Sequence, residues 1–206
     1  MFRIHRSRAE LGLFVLAAVC SVANVRAQSP VAATPIARAP STTPPQPFSQ
    51  CNTSSVPLQP TAWSSSVTFP RFDPANGVLV GLQLSLNAHI EGQARAESLD
   101  LQPSVITLNF SAIMRVLRPG GGSPYLQAQP AQSFVDPVAA YDGTLDFAGS
   151  SGITHPQILV DQLVTTSLPP PASDMLPFIG PAGNPGTITL PVTAAGASNG
   201  SGPGNA

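Results

Sequence analysis

Val80-Gly-Leu-Gln-Leu-Ser-Leu-Asn-Ala-His-Ile-Glu91 is the stretch that decides the fold. Val80, Leu82, Leu84, Leu86, Ala88 and Ile90 are apolar, whereas Gly81, Gln83, Ser85, Asn87, His89 and Glu91 between them are not. Six alternations at period two describe a strand with one face on a core and the other in water. A helix would scatter these leucines around its circumference. Leu84 should therefore point inward, and Leu84→Asp should bury an unpaired charge and unfold the domain.

Working outward, Phe72-Asp73-Pro74-Ala75-Asn76-Gly77 reads as a turn: Asp73 can cap it, Pro74 presets φ, and Asn76-Gly77 tolerates positive φ. Before it, Ser64–Phe69 reads as a strand that stops at Pro70. A second alternating run follows, with Ile106, Leu108, Phe110, Ala112, Met114 and Val116 on one side and Thr107, Asn109, Ser111 and Arg115 on the other. Pro119-Gly-Gly-Gly-Ser-Pro124 ends it as a loop. Shorter candidates lie at Leu126–Phe134, Thr144–Phe147, Gln157–Thr166 and Thr187–Ala194. Strands at this spacing, with Gly/Pro turns and no convincing helix, predict an all-β chain: one antiparallel β-sandwich over 61–195.

The ends differ from this centre. Residues 28–60 carry Pro30, Pro35, Pro40, Pro44, Pro45, Pro47, Pro57 and Pro60 among Ala, Ser and Thr, and read as an extended linker. Residues 196–206 are small, uncharged and glycine-rich, and read as a flexible tail. The first 27 residues read as a secretory signal peptide. Arg3, Arg6 and Arg8 form a positive n-region, Leu11–Val19 is the apolar run, and Val25-Arg26-Ala27 precedes a cleavage site between Ala27 and Gln28. The apolar run is shorter than the roughly 20 residues a membrane-spanning helix needs. The mature chain is thus expected to be exported, either released outside the cell or held at its surface, with no stable membrane span. Leu-Ala-Ala-Val-Cys20 approximates a lipobox, but Val19 is too large for the position before the cysteine.

Cleavage would remove Cys20 and leave Cys51 as the mature chain's single cysteine. The reading preferred for it is a tolerated thiol; the sharper one is an intermolecular disulfide in an oxidising compartment. Arg38, Arg71, Arg95, Arg115 and Arg118 remain against nine acidic residues, a net charge of −4, and the chain contains no lysine. Such a chain lacks the clustered basic charge that nucleic acid requires.

Candidate chemistry is sparse. The mature chain has two histidines: His89 on the polar side of the long strand and His155 in a loop before Pro156. The sequence has no Gly-x-Ser-x-Gly elbow. Asp136, Asp142 and Asp146 fall within eleven residues and carry oxygen ligands of the kind calcium takes, yet loop aspartates are ordinarily turn formers. Glu91, Glu97 and Asp100 could pair carboxylates for glycoside cleavage, but one Trp and two Tyr supply few sugar platforms, and Trp63 reads as core. No catalytic, cofactor-binding or metal-binding residue is assigned, and no cofactor is expected.

The stretch from Phe69 to Val116 resembles the choice-of-anchor E domain of bacterial surface proteins, a family associated with PEP-CTERM sorting signals. The likeness lies in Phe72-Asp73-Pro74 with Gly77, the long alternating strand, and Glu97-Ser98-Leu99-Asp100. Asp146-Phe-Ala-Gly-Ser-Ser-Gly152 fits its middle; Met175-Leu-Pro-Phe-Ile-Gly180, then Gly186-Thr-Ile-Thr-Leu-Pro191, then Gly196 onward fit its end. The resemblance covers roughly 62–205 and implies an exported all-β domain with no catalytic residues to carry over. Relatives continue into a sorting signal; this chain stops at Ala206 without an apolar segment or basic cluster, so either it is released rather than anchored or its end is truncated. The resulting expectation is a non-enzymatic β-sandwich of the cell envelope or extracellular matrix. A carbohydrate-binding or adhesion module is the alternative. Cell-envelope or extracellular polysaccharide is the partner class considered, and the open sheet edges of a sandwich leave self-association undecided by the sequence.

Overall fold

The computed structural model describes residues 12–24, 47–60, 62–168 and 173–202. The described strands are β1 (Gly12–Asn24), β2 (Pro47–Val56), β3 (Trp63–Pro70), β4 (Val78–Glu97), β5 (Ser104–Val116), β6 (Leu126–Ala128), β7 (Ala131–Val138), β8 (Gly152–Leu168) and β9 (Thr187–Ser201). Short 3-10 turns occupy Pro74–Asn76 and Ser173–Phe178. Every ladder between named strands is antiparallel. They form two sheets, β2-β1-β4-β8 and β3-β9-β5-β6, with β7 also paired to β5. The all-β sandwich expected from the alternating stretch is the observed architecture.

The alternation dictates the packing. Leu82, Leu84, Leu86, Ala88 and Ile90 of β4 are each at most 2% exposed, while Gln83, Ser85, Asn87, His89 and Glu91 face outward. They pack in one core with Ile106, Leu108, Phe110, Ala112, Met114 and Val116 of β5 and Ile188, Leu190, Val192 and Ala194 of β9. Trp63, Val67 and Phe69 of β3 join that core, as read for Trp63. Burial of such side chains stabilises by roughly 25 cal/mol per Å² of apolar surface, so the sheet interface carries the fold.

Val80 departs from the expected phase. The register with β1 shifts between Val22 and Ala23, leaving Val80 as an extra residue of β4, and Leu79 turns inward instead. A bulge of this kind exchanges the two faces of a strand over one residue. A second irregularity lets β8 run through a proline. Gly92 faces Ile158 and Ala94 faces His155, so Pro156 and Gln157 together oppose Gln93. A bulge is one of the few places a sheet accepts a proline.

Three expectations are corrected at the periphery. The linker read over 28–60 contains β2, whose stretch Phe48–Val56 is free of proline and ends on a buried Val56. The tail read from Gly196 is the second half of β9, where Gly196–Ser201 ladders onto Ala112–Thr107 of β5. Its residues carry no apolar alternation because that half of β9 has lost β3 as a neighbour, the β3 register ending at Trp63 opposite Ala194. Thr144–Phe147 is a loop, since its polar groups are used in tight turns rather than in a ladder. By contrast, β6 and β7 form the return strand expected at Leu126–Phe134, interrupted only at Gln129-Pro130.

The predicted cleavage site at Ala27-Gln28 lies outside the described residues. The apolar run before it is placed as β1, between β2 and β4. A short unbroken apolar run satisfies a doubly flanked strand as well as a signal sequence, and periodicity cannot separate the two. Cys51 is disulfide-bonded and stands opposite Cys20 in the β1–β2 register, which corrects the reading of a tolerated thiol.

Candidate functional site

Among the described residues, titratable side chains make contacts at both ends of β4, along the open side of the sandwich and on the outer face of β4. At the far end of β4, Glu97 is fully buried. Its Oε2 accepts the Phe147 backbone N–H at 2.6 Å and its Oε1 accepts the Ser151 hydroxyl at 2.5 Å. The Ser98 N–H continues the contact to the Ser151 carbonyl at 3.0 Å. Phe147 sits at φ 59°, a left-handed conformation uncommon outside glycine, asparagine and aspartate. Gly152 closes the loop, its N–H bonded to the Ala148 carbonyl at 3.0 Å. Glu97-Ser98 and the Asp146–Gly152 stretch, separate in sequence, thus form one clasp.

The other end of β4 has a matching clasp. Asp73 Oδ1 accepts Ala75 N–H at 2.8 Å, capping the turn as predicted, and also accepts Gly183 N–H at 2.9 Å. Phe72 N–H bonds the Phe178 carbonyl at 2.7 Å and Gly180 N–H returns to the Phe72 carbonyl at 3.0 Å. Beside it, Arg118 clamps Asp174 through Nε–Oδ1 at 3.2 Å and Nη2–Oδ2 at 2.5 Å. The same guanidinium lies over the Tyr125 ring at 4.7 Å and donates to the Ser123 carbonyl and hydroxyl. The hydrogen bond from Arg118 holds the Asp174 carboxyl below its ordinary range, and the bond to Asp174 holds Arg118 above its own. Burial, followed by the Asp174 charge, pushes the Tyr125 phenol upward.

The histidines lie on different surfaces. His155 on β8 bonds Asp136 on β7 at 2.9 Å through Nε2 and stacks on Phe134, ring centroids 3.8 Å apart. Because β7 and β8 are edge strands of opposite sheets, this pair bridges the open side of the sandwich. His89 is on the outer face, with Nδ1 2.9 Å from Asp161 and Nε2 3.8 Å from Glu91. Among the described residues, neither ring is hydrogen-bonded to a hydroxyl or thiol that it could activate.

The carboxylates weighed for metal or sugar chemistry are dispersed. Asp136 is taken by His155, Asp142 Oδ1 accepts Thr144 N–H at 2.9 Å, and Asp146 Oδ1 accepts Ala148 N–H at 2.9 Å. The loop aspartates therefore act as turn formers, and no group of three metal-ligating side chains is found among the described residues. Glu91 is outward and half-exposed, whereas Glu97 is wholly buried, so the two do not flank a common opening.

A groove of about 400 Å³ on the outer face of the second sheet is lined by Trp63, Ser64, Ile113, Arg115 and Thr193 among others. Arg115 Nε donates to Gln127 Oε1 at 2.7 Å beside it. Sequence reading missed this groove because it arises where β3 ends while β9 and β5 run on, a product of unequal strand lengths. Among the described residues no helix is long and apolar enough to cross a membrane. No protein-family model matches the chain, and no curated protein matches it.

Proposed function

We propose that the chain is a non-enzymatic, exported β-sandwich protein of a bacterial cell surface or extracellular matrix. One observation carries this reading: Glu97, Asp136 and His155, three of the candidate acids and bases, are spent on joining pieces of the fold. Glu97 clasps a loop, Asp174 and Arg118 clasp another, and His155 with Asp136 ties the two sheets. An acid or base held in this way stabilises shape and is not poised over a cleft. The positively charged n-region and short apolar run of the first 27 residues support export. Fractionating the native host and blotting periplasm, outer membrane, cytosol and medium tests it. Recovery of an intact Met1 chain from the cytosol overturns it.

Carbohydrate binding is the second reading, favoured by the groove beside Trp63 and Arg115. It would engage acidic polysaccharide, with Arg115 meeting the carboxylates. Arg115→Ala should abolish binding on a glycan array, and an array without hits removes the reading.

A further inference from the structure

We propose that the chain binds the extended C-terminal end of another polypeptide, added as a strand to the open half of β9 with its carboxylate in the groove beside Trp63. The inference goes beyond the reading above and does not depend on export.

Two independent features meet where β3 stops. The first is a half-paired strand. β3 covers β9 from Thr187 to Ala194, and Ala62, at φ 70°, leaves the extended conformation just before Trp63. From Ala195 to Ser201, β9 is paired with β5 on one side and with nothing on the other, among the described residues. That open side offers backbone donors and acceptors in extended register. The stretch contains no proline and no charged residue, devices by which sheet edges resist pairing, and its register with β5 runs without a shift.

The second feature is the groove at the end of that open ladder, lined by Trp63, Ser64, Thr193 and Arg115 among others. Arg115 hydrogen-bonds Gln127 through Nε, which leaves its Nη groups without a partner among the described residues. Trp63 is 9% exposed, and its Nε1–H has no acceptor. A buried donor without an acceptor is uncommon, and a site that receives an acceptor from a ligand accounts for it.

Strand direction joins the two features. A strand in the line that β3 vacates, antiparallel to β9 like every ladder of this fold, runs from Ser201 toward Ala195. Its C-terminal end therefore arrives at Trp63 and the groove. The positive charge of Arg115 attracts a terminal carboxylate there and repels a terminal ammonium. One carboxylate supplies acceptors to Arg115 and Trp63 together, while the ladder supplies main-chain hydrogen bonds along β9. Gly196 and Gly200 carry no side chain, so the rungs opposite them admit large residues of the ligand. A polysaccharide could also offer Arg115 a carboxylate but could not complete the ladder, so the open edge favours a peptide.

The test screens a random heptapeptide library with free C-termini against the full chain and measures the selected peptides by fluorescence anisotropy. Amidating the peptide C-terminus should weaken binding at least about tenfold, and so should Arg115→Ala, with circular dichroism checking that the variant folds. N-methylation of alternate peptide residues should abolish binding, and like amidation it requires no variant of the protein. In heteronuclear NMR spectra the peptide should shift the amides of Ala195–Ser201 and the chain's single indole N–H, that of Trp63. A library that yields no binder overturns the proposal, as does binding indifferent to amidation or N-methylation, or shifts that map to another strand. Polygalacturonate binding through Arg115 where no peptide binds overturns it too, because the groove is then a sugar site. Host fractionation decides the export reading separately, and failure of either leaves the other standing.

Discussion

Asp136 holds His155 at 2.9 Å across the side of the sandwich where neither sheet supplies a neighbouring strand. Both side chains are largely buried, 20% and 17% exposed, and the imidazole also lies against Phe134. The contact therefore combines a hydrogen bond with an aromatic stack between two edges that would otherwise meet weakly. His155→Ala should cost about 1–2 kcal/mol in urea unfolding. His155→Phe should recover part of that loss by keeping the stack and losing only the bond.

Glu97 makes a sharper prediction. With its carboxylate wholly buried, Glu97→Ala leaves the Phe147 N–H and the Ser151 hydroxyl without their acceptor. Each stranded donor costs about 1–3 kcal/mol, and the Ala139–Ser151 loop should open before the sheets separate. Glu97→Gln keeps a carbonyl acceptor and should cost less. Hydrogen exchange at Phe147, measured in both variants against global stability, separates loop opening from unfolding.

Gly152 tests backbone closeness rather than polarity. A Cβ built there would stand 2.3 Å from Ala148 N and 2.4 Å from Phe147 C, all backbone atoms with no freedom to swing away. Gly152→Ala should therefore destabilise by at least about 1–3 kcal/mol, the range for overpacking. Gly143→Ala is the contrast: at φ +94° with open space around it, it strains one turn without pushing on its neighbours. Thermal melts of the two should differ, Gly152→Ala falling further.

These residues also mark how much of the molecule can be read from its sequence. The alternation from Leu82 to Ile90 describes β4 because burial on one face selects residue type directly. Asp73 as a cap was legible for the same reason, its turn chemistry being local. β9 beyond Ala194 was not, since Asn199 and its neighbours hold to β5 through backbone groups and one amide contact, Asn109 to Asn199 at 3.0 Å. Glu97 read as a possible partner of Glu91 because spacing carries no information on which carboxylate a distant loop will bury. The groove at Trp63 depends on where strands stop, and strand ends are the least legible part of any pattern.

The Arg118–Asp174 clamp ties the start of the β5–β6 connection to the Ser173–Phe178 turn, and it gives the fold a pH dependence of definite sign. The Arg118 hydrogen bond lowers the Asp174 carboxyl from its ordinary 3.8, so the folded chain binds that proton less readily than the unfolded one. The stabilisation is complete above the ordinary carboxylate value. As pH falls below it, the unfolded chain takes up the proton first, and the advantage fades until Asp174 protonates in the fold as well. Asp174→Asn removes the charge at every pH. Its melting temperature should lie below that of the wild type at pH 7, by a small margin because both side chains are partly solvated. The gap should close as pH drops from 4 toward 2. A gap of constant size over that interval would mean the aspartate acts through packing, and that its charge contributes nothing to the clamp.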